Sequence, residues 1–157
     1  MSASASLFRR VFVPGVVLAF AIPAGVFFVC ALQADLSLAD SLRETVAQFS
    51  VRRQHLWGCG VLGVIPVLLL TIMAWLIGKR LEPLRTRVIA QMGLLGIVLI
   101  LLWVNVQFWP GYLPERAFRG FPHGLEFVIG PLFFAPAAML VSMLIAWLGT
   151  KKQIDSL

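Results

Sequence analysis

The sequence predicts an all-α membrane protein, with four transmembrane helices arranged as two hairpins and a short amphipathic helix in the first external loop. Three observations predict it. The chain of 157 residues is 60% hydrophobic and 13% charged, against about 25% charged residues in ordinary soluble domains. Its apolar residues fall in four unbroken blocks, roughly 11–32, 56–78, 88–109 and 125–148, without the polar alternation of a soluble element. No block has an Asp, Lys or Arg in its central turns, where each would cost roughly 2.5–3.5 kcal/mol on insertion. As helices the blocks would reach about 33–36 Å, enough to cross a hydrocarbon core of about 30 Å. Residues 1–157 are therefore read as a single four-helix transmembrane domain.

The first block follows Arg9 and Arg10 and contains Pro14 and Pro23. It is too long for the 7–15-residue apolar core of a signal peptide, so an uncleaved span is expected. Val29 precedes Cys30 where a lipoprotein anchor needs a small residue. The stretch 33–55, "QADLSLADSLRETVAQFSVRRQH", holds six charges and cannot be a fifth span. Within it Leu38, Leu42, Val46 and Phe49 recur at helical spacing, and Ser37 with Asp40, or Ser41 with Glu44, resembles a capping box. A short amphipathic helix on the membrane surface fits this pattern.

The second block carries Gly58, Gly60, Gly63 and Pro66, the third Gly93 and Gly96, and the fourth Pro131 and Pro136. Small residues allow helices to approach closely in lipid, and interior prolines imply kinks whose freed carbonyls are satisfied by neighbours. Trp57, Trp109 and Tyr112 would anchor the outer interface, Trp75 and Trp147 the inner one. The second and fourth blocks share an outer histidine, an Ala-Trp-Leu near the inner end and then a glycine and a basic pair. A duplicated hairpin would produce this, and so would the common demands on any two inward-running helices.

The net charge of +6 suggests nucleic acid until its placement is considered. Arg9, Arg10, Lys79, Arg80, Arg85, Arg87, Lys151 and Lys152, eight of the 13 basic residues, fall on one side of the predicted bundle. Arg43, Arg52, Arg53, Arg116 and Arg119 fall on the other, among five acidic residues. The positive-inside rule then puts both termini in the cytoplasm and the loops 33–55 and 110–124 outside. Arginine outnumbers lysine ten to three, which points to a bacterial source and an inner-membrane address. The partners expected are the bilayer and another membrane protein, not nucleic acid.

Candidate chemistry gathers at the outer end. His55 and Cys59 lie four residues apart, His123 and Glu126 three apart, so each pair shares a helix face. If those faces meet, His55, Cys59, His123 and Glu126 are candidate ligands for zinc or copper. Ordinary interface residues explain the same pattern, no metal is assigned, and no cofactor is named by these residues. Cys30 and Cys59 lie at comparable depth, which predicts that they reach disulfide distance. The segment 114–127, "PERAFRGFPHGLEF", should form an ordered outer lip in which Glu126 pairs with Arg119 or Arg116 beside His55 and His123. Those five residues are the expected binding surface. No catalytic constellation is present, and the spans lack the intramembrane ionisable residues of proton- or ion-coupled transporters.

The reading that follows is a non-catalytic subunit or assembly partner of a membrane complex. One alternative is a membrane enzyme or redox protein using His55, His123, Glu126 and Arg119 on a lipid, quinone or metal at the periplasmic face. Another is an oligomeric transporter or channel, whose pore would have to form between copies.

Overall fold

The computed structural model describes residues 8–113 and 128–154. Every element within them is helical. Helix α1 (Val13–Gln33) follows a wide π-helical turn at Phe8–Phe12; α2 (Leu38–Val46) runs into another at Ala47–Val51; α3 spans Arg53–Gly78. Helix α4 (Pro83–Phe108) closes with a 3-10 turn at Trp109–Tyr112, and α5 (Ala135–Ile154) is preceded by a wide turn at Gly130–Phe134. Four helices are long and apolar enough to cross a membrane: Arg9–Gln33, His55–Gly78, Pro83–Tyr112 and Gly130–Thr150. These mark a multi-pass membrane protein.

Two of the wide turns have a cause in the sequence. Phe8–Phe12 stands just before Pro14 and Gly130–Phe134 just before Pro136. Each proline lacks an N–H for the carbonyl four residues back, and its ring crowds that carbonyl. Widening the preceding turn relieves the crowding without breaking the helix.

The termini of the helices are chemically defined. Asp35 takes a left-handed conformation, φ 62°, after α1. Its N–H donates to the Leu32 carbonyl at 3.2 Å and that of Leu36 to Ala31 at 3.4 Å, the two bonds of a Schellman cap. Ser37 then starts α2, its Oγ accepting from the Asp40 N–H at 3.1 Å. Helix α4 begins at Pro83 rather than near 88, because Glu82 and Pro83 make a good start: proline suits the first turn. The Glu82 carbonyl accepts from both the N–H of Thr86, at 2.9 Å, and its hydroxyl, at 3.0 Å. Arg85 and Arg87 thus lie within the helix.

Helix α4 is the hub. It packs most extensively on α5 and also against α1 and α3, while α5 touches α3 slightly. Adjacent spans run antiparallel: Gly15 of α1 faces Val67 of α3 and Gly63 faces Ala19, and on α4 Gly93 meets Met143 of α5 while Gly96 meets Ala138. A methyl group at Gly96 would lie 2.7 Å from the Ala138 carbonyl oxygen, so α4 and α5 approach there backbone to backbone. At the end carrying Arg9, Arg10, Lys79 and Arg80, called here the basic end, Arg85 clasps the same pair. Its Nε donates to Thr150 Oγ1 at 3.0 Å and its Nη2 to the Trp147 carbonyl at 3.2 Å.

Three expectations change. Gly58 has open space around it and is no packing glycine. Trp109 is fully buried rather than an interface anchor, because the 3-10 turn folds it inward over the bundle. Phe49 leaves the apolar stripe of α2: Leu38, Leu42 and Val46 are exposed, whereas Phe49 is buried. The wide turn at Ala47–Val51 shifts its phase and swings its ring against Phe27 and Trp109.

Candidate functional site

The end opposite the basic one is built around Trp109. Its indole N–H donates to Asn105 Oδ1 at 2.7 Å, and Asn105 Nδ2 donates in turn to the Leu101 carbonyl at 2.7 Å. Both side chains are buried. In an apolar core such groups are tolerated when paired with each other. Phe27, Phe49 and Phe108 contact the indole edge-on, with ring centroids 5.6, 5.2 and 5.0 Å away. Edge-to-face geometry suits the ring quadrupoles. Tyr112 completes the cluster at 5.5 Å.

His55 rests on this floor, 6.0 Å from the Trp109 ring and 5.6 Å from that of Tyr112. Its orientation is set by a polar chain. Arg52 Nη1 donates to Gln48 Oε1 at 3.3 Å, and Gln48 Nε2 lies 2.9 Å from His55 Nδ1. Because the amide oxygen is occupied by the guanidinium, the amide nitrogen faces the imidazole and donates to it. That assignment makes Nδ1 an acceptor and leaves the proton on Nε2, so the ring is neutral. The arrangement offers one imidazole N–H, one guanidinium and the exposed Tyr112 ring, which suits recognition of hydrogen-bond acceptors or anions more than bond-making chemistry.

Of the predicted site residues, His55 is thus held in a defined orientation. Arg116, Arg119, His123 and Glu126 lie outside the described residues, as does the proposed Glu126–arginine pair. Cys59 sits one turn below His55 and is buried in the apolar core, as is Cys30; no disulfide joins the two. Among the described residues no three His, Cys, Asp or Glu side chains converge on a point that would hold a metal. Two of the four candidate ligands, His123 and Glu126, are outside that set.

Gln48, Asn105 and Trp109 were not singled out as site residues from sequence. Asn105 and Trp109 do carry a signal: polar-capable side chains at i and i+4 in an otherwise apolar block share a face and can satisfy one another. Gln48 carries none, since its role depends on the wide turn at Ala47–Val51 that brings it over His55. Compared with models of protein families, with curated proteins and with solved structures, the chain matches none.

Proposed function

We propose that this protein is a non-catalytic subunit or assembly partner of a larger complex in a bacterial inner membrane. In this reading the spans form two hairpins, both termini are cytoplasmic, and α2 lies along the periplasmic surface with Leu38, Leu42 and Val46 turned to lipid. One observation carries the proposal. The fourth span buries 22% of its apolar window, against 33–44% for the other three, and beyond its close seam with α4 it meets α3 mainly through the wide turn at Gly130–Phe134. Its outward face is broad and apolar, with Phe133 66% exposed and Val141 and Ile145 close behind at 57% and 60%. These three stand eight and four residues apart, on one face.

Lipid tails cover such a face at no cost, so association there depends on shape and packing with another helix. The aromatic end supplies a second contact: Arg52, His55 and Tyr112 are held in place by the cluster beneath, and the sequence expects the lip with Arg116, Arg119, His123 and Glu126 beside them. A photo-crosslinking residue at Val141, in the native membrane, tests the proposal against one at Val17 on α1. A discrete protein adduct specific to Val141 is expected. Lipid adducts alone at both positions would sink the reading.

A further inference from the structure

Toward the basic end α3 and α5 part on either side of α4, leaving a crevice of about 460 Å³. Met73 and Ile77 of α3, Ile89 of α4, and Leu140 and Leu144 of α5 give it apolar walls, and Arg80 is the one charged residue in its lining. Arg80 has no ion-pair partner among the described residues. Its neighbours differ: Arg85 is bonded to α5, and Lys79 sits 3.5 Å over the Trp75 ring. Arg80 is therefore a cation at an apolar slot, at the end of the bundle where span ends meet lipid headgroups.

We propose that this crevice holds one acyl chain of an anionic phospholipid, with the Arg80 guanidinium on its phosphate. The volume falls in the range of small-ligand sites, about 300–1,000 Å³. It is too small for a partner helix, because a single turn about 10 Å across and 5.4 Å long already fills about 420 Å³. A flexible hydrocarbon chain fits a slot walled by Met73, Ile77, Ile89, Leu140 and Leu144. A planar guanidinium matches phosphate with two parallel hydrogen bonds. The site is separate from the outward face of α5 proposed for protein contact, so either can fail alone.

The test is native mass spectrometry of the full chain in mild detergent, titrated with phosphatidylglycerol or with phosphatidylcholine of identical chains. Wild type should retain one phosphatidylglycerol in preference to phosphatidylcholine. Arg80→Gln should reduce that preference roughly fivefold, the worth of one arginine at a lipid surface. Arg87→Gln, exposed and outside the lining, should leave it unchanged. Leu140→Trp should lower retention of both lipids by filling the slot. In wild type, a phospholipid with a photoactivatable acyl chain should label Met73 or Leu144, a readout that needs no variant. Equal losses from Arg80→Gln and Arg87→Gln would mean diffuse surface attraction and overturn the site. So would acyl labelling elsewhere, or a dimer of the chain that Leu140→Trp dissociates.

Discussion

Ser41 sits fully buried in α2 with a hydroxyl that has no hydrogen-bond partner. An unpaired buried hydroxyl costs about 1–3 kcal/mol, and alanine is also the better helix former. Ser41→Ala should therefore stabilise the protein by about 1 kcal/mol, read as a rise of about 2–4 °C in thermal unfolding in detergent. Asn105 is the opposite case. Asn105→Ala removes the acceptor of the Trp109 indole hydrogen and should cost about 1–3 kcal/mol, with a change in tryptophan fluorescence as the cluster loosens. The two residues also differ in legibility. The serine cap at Ser37 is a local pattern, and sequence predicts it because its partner, Asp40, is three residues away. The left-handed Asp35 is not legible, since glycine or asparagine would be the expected occupant of that position; Ser41 looked like a second cap and is instead an interior residue.

At the scale of the helices, the existence of four spans was readable, but the early start of α4 and the rotation of each helix were not. In water an amphipathic stripe tells which face is inside. In lipid the outside is as apolar as the core, and that signal vanishes. Gly58 and Gly96 illustrate the loss: both look like packing glycines in sequence, yet Gly58 faces open space while Gly96 lies under the α5 backbone. Gly96→Ala should force α4 and α5 apart and destabilise by about 1–3 kcal/mol. Gly58→Ala should be neutral or stabilise by up to about 1 kcal/mol through helix propensity. If thermal scans give the two variants the same shift, the α4–α5 seam is wrong. The packing bears also on the suggested duplication. Helix α3 packs on both α1 and α4, whereas α5 makes no comparable contact with α1 among the described residues. Like patterns in the second and fourth blocks therefore sit in unlike surroundings, and shared demands at span ends suffice to explain them.

Across the whole molecule, the candidate site was half legible: His55 stood out as a polar residue at a span end, but its orienting partners come from a turn whose width no local pattern signals. Orientation in the membrane is a matter of global charge. Lys79, Arg80, Arg85 and Arg87 fall within nine residues spanning the α3–α4 turn and the first turns of α4, and all lie close enough to span ends to count toward the positive-inside bias. Arg9 and Arg10 share that end. Opposing them, Arg52 and Arg53 stand at the start of α3 and Arg43 within α2. Translocating the 79–87 segment would carry four cations across against a bias that acidic residues scarcely offset, since the rule counts Lys and Arg rather than net charge. Reporter fusions after Arg85 should therefore read as cytoplasmic and those after Ser50 as periplasmic. Replacing Lys79, Arg80 and Arg87 together with glutamine, while keeping Arg85 for its bonds to α5, should weaken the bias and give mixed orientations. A reversed pattern in the unaltered chain would move α2 and the His55 cluster to the cytoplasmic side, and the partner sought there would be a cytoplasmic one.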